Sequence, residues 1–255
     1  MVQALAVCRE RTERAGLFRT FNRVPREWAR LERVSMRDIF RKNGLSIVLL
    51  LSFLVMIFGQ SLAGRYEYND ERSEHGEPPL GYAAYLLSHH FWEATTENWE
   101  SEFFQMGIYV MLTAFLFQQG SSESKKLNEP NPQDEDPRQH QENPDAPWPV
   151  RRGGWVLKIY EYSLGIAFLL LFLASLLAHA VSGQRLYNEE QLAAGKEHVD
   201  LLAYMGSSRF WFESLQNWQS EFLAVASIVV LSIWLRHRGS PESKPVAAPH
   251  GETGE

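Results

Sequence analysis

Two long apolar segments dominate the pattern of hydrophobic and polar positions along the chain. Residues 44–63 (GLSIVLLLSFLVMIFGQSLA) and 163–182 (SLGIAFLLLFLASLLAHAVS) contain no Asp, Glu, Lys or Arg. About twenty apolar residues at a helical rise of about 1.5 Å match a hydrocarbon layer of about 30 Å. Neither segment has the polar face typical of a helix at the surface of a soluble protein. Both are predicted to be transmembrane helices.

Two shorter apolar segments, 103–117 and 222–235, follow the long ones. Alone, each would span only about 21–23 Å, which is too short for a bilayer and compatible with a core helix. Their position after the long segments, and the internal repeat described next, favour two further spans. The predicted fold class is therefore all-α and integral to the membrane, with four transmembrane helices.

The chain repeats itself after 119 residues. Residues 44–125 align with 163–244 without a gap, and 29 of the 82 positions are identical, including the elements NWxSEF and GSxESK. This similarity indicates a tandem duplication of a two-helix repeat. Both repeats then cross the membrane in the same sense, related by an approximate two-fold axis along the membrane normal.

Five segments follow from this organisation. They are a basic cytoplasmic N-terminal segment (1–43), repeat 1 (44–120), a linker (121–150), repeat 2 (151–239) and a tail (240–255). The linker holds half of the twelve prolines and almost no apolar residues, so linker and tail are predicted to be disordered. Residues 1–35 have no counterpart in repeat 2. They are interpreted either as a helix on an anionic lipid surface or as an extension upstream of the true start at Met36, and the second is favoured.

Charge and cysteine content limit the class of protein. The net charge is −6, but residues 1–42 carry eleven Lys and Arg against five Asp and Glu, so the remainder carries about −12. An acidic chain of this kind is not typical of a nucleic-acid-binding protein. The single cysteine, Cys8, excludes an internal disulfide and a cysteine-built metal site.

Lys and Arg near the ends of the spans predict the orientation. They are concentrated before the first span, around the linker and after the fourth span, whereas the loops after the first and third spans hold few of them. By the positive-inside rule, both termini and the linker face the cytoplasm. The predicted location is the inner (plasma) membrane.

A glycine-ended first helix, a Tyr-Asn pair, HFWEATTENWESEFFQMG and GSSESK together resemble an uncharacterised bacterial multi-pass membrane family, catalogued as a domain of unknown function. The resemblance covers about residues 36–244, and NWxSEF is its most specific part. It implies an inner-membrane protein with repeated helices and supplies no activity, substrate or catalytic residue. The usual start of the family resembles the segment from Met36, which favours the extension interpretation of residues 1–35.

The repeat pairs two glutamates near the outer membrane boundary. Counting back from the cytoplasmic ends of the second and fourth spans puts Glu102 and Glu221 inside the apolar layer. A helical projection puts the positions shared by both repeats on one arc, with Glu102 near its middle. Ionisable groups at such depth usually face the bundle interior, so the two carboxylates are expected to meet. The candidate proton or cation site comprises Glu102, Glu221, Asn98, Asn217, Gln60 and His179.

The same region also has a purely structural interpretation. Trp92, Trp99, Trp211 and Trp218 are predicted to form an aromatic belt at the outer interface. The neighbouring Glu, Asn and Ser side chains would then bond helix to helix or cap loops. The sequence leaves both interpretations open.

A second candidate cluster occurs in repeat 1 alone. His89, Glu93 and Glu97 follow one another at one-turn spacing, with His90 and His75 nearby. Histidine and carboxylate ligands at this spacing bind zinc or another divalent metal. Histidines in an acidic exterior loop are also common without a metal. The weak metal candidates are His89, His90 and Glu93.

Three functions remain open. The sequence favours a non-enzymatic membrane interaction or envelope protein, because it contains no phosphate-binding loop, nucleophile elbow or HExxH motif. The alternatives are a small proton or cation transporter using Glu102 and Glu221, and divalent metal binding by the His/Glu cluster. No cofactor is expected. The expected partners are the lipid bilayer and another membrane protein or a second copy of the chain, without nucleic acid.

Overall fold

A computed structural model describes residues 36–254 of the protein. This part of the chain forms helices joined by turns and loops, and it contains no β-strand. The α-helices are α1 (Met36–Glu74), α2 (Tyr82–Leu86), α3 (His89–Phe115), α4 (Trp148–Arg152), α5 (Gly154–Glu161), α6 (Ser163–Ala193), α7 (Leu201–Met205) and α8 (Ser208–Leu231). The interpretations of residues 1–35 lie outside the described residues. The chain falls into two units, one ending at Gln60 and the next beginning at Ser61.

Helices α1 and α6 contain the two long apolar segments, as the sequence predicts. Within the described residues, both are long and apolar enough to cross a membrane. Most of their leucines are exposed, as at Leu50, Leu54, Leu170 and Leu177. A long apolar segment without proline favours helix, but these exposed side chains lack protein neighbours that would cover them. Exposure of this kind is what a lipid-facing helix shows.

A kink interrupts α1 near its start. Asn43 has non-helical backbone angles (φ −127°, ψ 15°), and its side-chain amide donates to the carbonyl oxygen of Ile39 at 3.1 Å. The kink lies directly before the apolar segment 44–63. It therefore separates the basic start of the helix from its apolar part.

Helix α3 packs against both α6 and α8. The ring of Phe104 lies 5.0 Å from that of Phe172 on α6 and 4.4 Å from that of Trp218 on α8. Gly107 allows the backbone of α3 to approach α6, because a Cβ at this position would lie 3.2 Å from Cβ of Phe168. Several polar residues of α3 are buried, among them Glu93, Glu100 and Gln105.

Two asparagines that lie 119 residues apart make the same contacts. Asn69 accepts a hydrogen bond from the backbone of Leu80 at 2.7 Å, and Asn188 accepts one from Val199 at 2.8 Å. Each asparagine also donates to the carbonyl of the residue from which it accepts. These paired bonds fold the loop after α1 and the loop after α6 back onto their helices.

A tyrosine packs against a helical glycine at two places in the chain. The hydroxyl of Tyr85 lies so close to Gly64 that a Cβ there would collide with it, and Tyr204 stands in the same relation to Gly183. Both tyrosine side chains are almost fully buried. The glycines are therefore required for this close approach between a short helix and a long one.

The linker and the tail, which the sequence predicts to be disordered, have defined conformations in the structure. The linker forms short 3₁₀ turns at Pro132–Asp134 and Pro137–His140. In the tail, Lys244 is 1% exposed, and its ammonium donates to the carbonyl oxygens of Pro249, His250 and Glu252. Local bonds between polar side chains and the backbone take the place of an apolar core in these segments.

Candidate functional site

A buried histidine and a buried glutamate join α6 to α3. Nδ1 of His179 lies 2.7 Å from Oε2 of Glu100, and neither side chain is exposed to solvent. An ionised carboxylate only accepts hydrogen bonds, so Nδ1 carries the proton and donates it to Glu100. Hydrogen bonds to a charged partner are shorter and stronger than neutral ones. This bond fixes the orientation of the imidazole ring.

The second oxygen of Glu100 is bound by α8. Nε1 of Trp218 donates to Oε1 of Glu100 at 3.1 Å. Both oxygens of this buried carboxylate therefore have donors, one from each neighbouring helix. Such bonds offset the cost of removing a carboxylate from water. Three helices meet at this one side chain.

The other nitrogen of His179 points into a group of carboxylates. Nε2 is buried without a hydrogen-bond partner and lies 3.6 Å from Oε2 of Glu213. One oxygen each from Glu93 and Glu213 and one nitrogen of His179 lie within 4.8 Å of one another. The ring of Phe210 stacks on the imidazole at 5.0 Å and closes one side of this group.

Glu213 has two further donors. The hydroxyl of Tyr204 donates to Oε2 at 3.0 Å, and Nε of Arg209 donates to Oε1 at 2.8 Å. These two bonds favour the ionised form of Glu213. Arg209 is itself bound by both oxygens of Glu190. The cation beside Glu213 is therefore shared with another carboxylate.

Glu93 lies among like charges. Its carboxyl group is buried and lies near the carboxylates of Glu213 and Glu97, whose like charges repel it. Glu97 lies one turn further along α3 and accepts a bond from Nδ2 of Asn217 on α8 at 2.6 Å. The arrangement thus holds more carboxylates than cations. It can take up positive charge, either as protons or as a metal ion.

The structure brings some residues of the predicted proton or cation site into this group and leaves others outside. His179 is at its centre, and Asn217 bonds to Glu97. Asn98 is exposed and donates to the carbonyl of Ala94 on its own helix. Gln60 lies on an exposed part of α1, in the unit that ends there.

The two glutamates that the sequence pairs, Glu102 on α3 and Glu221 on α8, lie outside this group. Glu102 is exposed, whereas Glu221 is half-buried and the charge of Glu102 acts on it. The helical projection is therefore corrected, because the interior side of α3 carries Glu93 and Glu100. The positions that are identical between residues 44–125 and 163–244 did not identify this side of α3. This side packs against His179, and the residue 119 positions before His179 is Gln60. A proton or cation role for Glu102 and Glu221 stays a prediction.

The predicted His/Glu metal cluster is divided in the structure. Glu93 faces His179 and Glu213, whereas Nε2 of His89 lies 3.9 Å from Glu189. His90 pairs instead with Glu67 at 3.1 Å, and its ring stacks on Tyr68 at 4.5 Å. Another group of potential ligand atoms comprises His90, Glu67 and Glu71, and both of its glutamates are exposed. The structure thus places His89, His90 and Glu93 beside different partners, and their role as metal ligands stays a prediction.

The four tryptophans of the predicted aromatic belt differ in exposure. Trp92 and Trp211 are 42% and 47% exposed, and Trp99 and Trp218 are half-buried. Trp211 and Trp218 contact each other edge to face, with ring centroids 6.2 Å apart. Their place at a membrane interface stays a prediction.

The buried group consists of His179 and the side chains around it: Glu93, Glu97, Glu100, Tyr204, Arg209 and Glu213. Four of these residues were not singled out from the sequence: Glu100, Tyr204, Arg209 and Glu213. One signal for them was available, because Arg209 and Glu213 are spaced four residues apart on one helix and form an ion pair. A second signal was His179, the single ionisable residue within 163–182. A lone imidazole in an apolar helix requires polar partners from its neighbours.

Comparison with known proteins gives a family without an assigned activity. Neither a curated protein nor a solved structure matches the chain. Residues 36–255 match a family described as a domain of unknown function. The matched range includes every residue of the buried group and begins at Met36. The chain therefore belongs to the family Domain of unknown function (DUF6766).

Proposed function

We propose that this protein is a non-enzymatic, multi-pass protein of the bacterial inner membrane that binds a cation in the buried group around His179. The proposal includes four spans arranged as a tandem duplication of a two-helix repeat. Both termini and the linker face the cytoplasm. Its partners are the lipid bilayer and another membrane protein or a second copy of the chain.

The exposed apolar surface of α1 and α6 supports the membrane assignment. Helices α3 and α8 have 27 and 24 residues, so each is about 36–40 Å long and has the length to cross a bilayer. Their polar residues reduce their mean hydropathy, but many of these residues are enclosed by protein, as at Glu93, Glu100 and Ser214. Enclosed polar groups of this kind are tolerated in transmembrane bundles.

The contacts repeated between the two halves support the duplication. Two kinds of contact recur at positions 119 residues apart. They are the paired bonds of Asn69 and Asn188, and the contacts of Tyr85 and Tyr204 with glycines. Two unrelated helical hairpins have no reason to share such details at one constant spacing.

One observation carries the cation-binding function: buried and half-buried carboxylates outnumber the cationic groups beside them. Four glutamates surround one imidazole and one guanidinium, and the guanidinium is also bound by Glu190. The four are Glu93, Glu97, Glu100 and Glu213. Uncompensated negative charge in a region of low dielectric is costly, and a bound cation removes that cost.

Thermal unfolding of the purified full-length protein in detergent tests this function. We expect at least one of Na⁺, Mg²⁺, Ca²⁺, Mn²⁺ or Zn²⁺ to raise the unfolding temperature with increasing concentration, because a ligand of the folded state stabilises it. The double variant Glu93→Gln with Glu213→Gln should lose this response. Glu102→Gln, on the exposed side of the same helix, is the matched control and should keep it. If no cation stabilises the protein, or if the double variant responds like the wild type, the function is wrong.

A second candidate function is proton or cation passage that uses Glu102 and Glu221. Their matching positions, 119 residues apart in the chain, support it, because a two-fold arrangement of the two halves would bring the carboxylates to equal depth. Proton and monovalent-cation flux into liposomes tests it. Glu102→Gln with Glu221→Gln should abolish the flux of the wild type. A flux that this double variant leaves unchanged would remove the candidate.

A further inference from the structure

The imidazole of His179 has one satisfied nitrogen and one free nitrogen. Nδ1 donates to Glu100 at 2.7 Å, so the lone pair of the neutral ring is on Nε2. This nitrogen is fully buried and makes no hydrogen bond. A buried polar atom without a partner is costly in a native protein, and a ligand that binds there removes the cost.

The atoms around Nε2 have the spacing of a coordination shell. Nε2 lies 3.6 Å from Oε2 of Glu213, and the ligand atoms of Glu93, His179 and Glu213 all lie within 4.8 Å of one another. Ligands at about 2.1 Å from a tetrahedral metal are about 3.4 Å apart. Small side-chain rotations would bring three atoms from three helices to one ion.

The surrounding groups are those that orient metal ligands. In metal sites, a histidine ligand commonly donates its other ring N–H to a carboxylate, and Glu100 does so here. Glu100 is in turn held by Trp218. Tyr204 and Arg209 donate to the two oxygens of Glu213 and fix its orientation. Arg209 also adds positive charge beside the site, which its bonds with Glu190 reduce.

We propose that Glu93, His179 and Glu213 bind a divalent first-row transition-metal ion, with one imidazole nitrogen and two carboxylates as its protein ligands. This inference depends on the proposed cation-binding function and names its ion class. The imidazole selects against Mg²⁺ and Ca²⁺, which prefer ligand sets made of oxygen alone. Mixed nitrogen and oxygen ligands suit Zn²⁺, Mn²⁺ and Co²⁺, with water completing the coordination.

Metal binding to the full-length protein tests the inference. The chain, freed of any affinity tag, is stripped with a chelator and dialysed against Zn²⁺, Mn²⁺, Mg²⁺ or Ca²⁺. The bound metal is then measured by mass spectrometry. We expect one Zn²⁺ or Mn²⁺ per chain, and no Mg²⁺ or Ca²⁺ at the same concentration. Uptake of Mg²⁺ or Ca²⁺ with no Zn²⁺ or Mn²⁺ would overturn the inference and leave the proposed function standing. Uptake of no cation would overturn both.

Variants distinguish this site from the other histidines. His179→Gln should weaken Zn²⁺ binding at least tenfold, and Glu100→Gln about 10–100-fold, as for other carboxylates that orient a metal-bound histidine. His89→Gln is the matched control, because this histidine lies on α3 outside the site, near Glu189, and it should bind as the wild type does. Unchanged affinity in a folded His179→Gln variant would overturn the inference.

X-ray absorption of the Zn²⁺-loaded wild type provides a readout that needs no variant. We expect oxygen and nitrogen neighbours with the scattering of one imidazole. A spectrum without imidazole scattering, or with that of several imidazoles, would overturn the assignment even if the His179 variants fail to fold.

Discussion

The side chains of His179 and Glu100 form a hydrogen bond of 2.7 Å in a part of the bundle where neither is exposed to solvent. They lie on two different helices, α6 and α3, and 79 positions separate them in the chain. Glu100 also accepts from Trp218, so this pair and its indole partner fix the relative positions of α3, α6 and α8. A contact between two residues thus serves both the packing of the helices and the orientation of the candidate metal ligand.

Removing Glu100 should be strongly destabilising. Glu100→Ala leaves an uncompensated buried imidazole, and breaking a buried pair from one side costs about 3–5 kcal/mol of the free energy of unfolding. Glu102→Ala, two positions along the same helix but exposed, should change it by less than about 0.5 kcal/mol. Denaturant unfolding of both variants in detergent measures the difference.

A double-mutant cycle separates the pair from its surroundings. The variant with both Glu100→Ala and His179→Ala should be more stable than the sum of the single effects predicts, because neither partner is then left alone. Strict additivity would show that the two side chains contribute independently. That result would contradict the pairing.

Gly183 is required for the position of Tyr204. In Gly183→Ala, the new methyl group would collide with the tyrosine hydroxyl, and overpacking of this kind costs about 1–3 kcal/mol. Tyr204 donates to Glu213, so the variant should also weaken Zn²⁺ binding. Unfolding temperature and bound Zn²⁺ are both measured for this variant.

Gly165→Ala is the matched control on the same helix, since nothing lies within 4 Å of the added Cβ. It should be neutral or slightly stabilising, because alanine favours helix over glycine. If the two alanine variants unfold at the same temperature, Tyr204 does not pack on Gly183 in the folded protein.

The sequence predicted the elements of this fold better than its site. Helices α1 and α6 follow from their composition, because a long apolar segment without charge has few other conformations available to it. The site depends on which side of α3 faces α6, and packing decides this. Identity between the repeats pointed to Glu102, whereas the buried group uses residues that differ between them. His179 has Gln60 as its counterpart, and Glu213 has Ala94. Positions that the two halves share cannot identify a group of side chains that only one half contributes at those positions.

Glu123 makes stability depend on pH at the end of the bundle that follows α3. Burial raises its pKa above the ordinary value of 4.5, a bond from Tyr109 acts in the opposite direction, and the nearby Glu242 raises it further. A carboxyl group with a raised pKa contributes stability below its ordinary pKa and loses that contribution as the pH rises through the raised value. The contribution of Glu123 to the free energy of unfolding of the wild type should therefore fall as the pH rises from mildly acidic to neutral.

Glu123→Gln removes this dependence. The variant should unfold at a higher temperature than the wild type at pH 8, and the difference should disappear near pH 4. Glu129→Gln is the control, because Glu129 is exposed and its substitution should leave the pH profile unchanged. A Glu123→Gln profile parallel to that of the wild type would show that Glu123 does not ionise at a raised pH.

Cysteine labelling tests the proposed topology, and the structure selects the positions. After Cys8→Ser, single cysteines replace Ser73 at the end of α1 and Glu129 in the linker, both of which are exposed. Ser124 is 9% exposed and would label poorly in either orientation. In intact cells whose outer membrane admits the reagent, a maleimide that cannot cross the inner membrane should label Ser73→Cys. It should label Glu129→Cys only after the cells are lysed. This result follows if Lys and Arg hold the linker on the cytoplasmic side. The reverse pattern would invert the orientation, and labelling of both positions in intact cells would contradict a membrane-spanning chain between them.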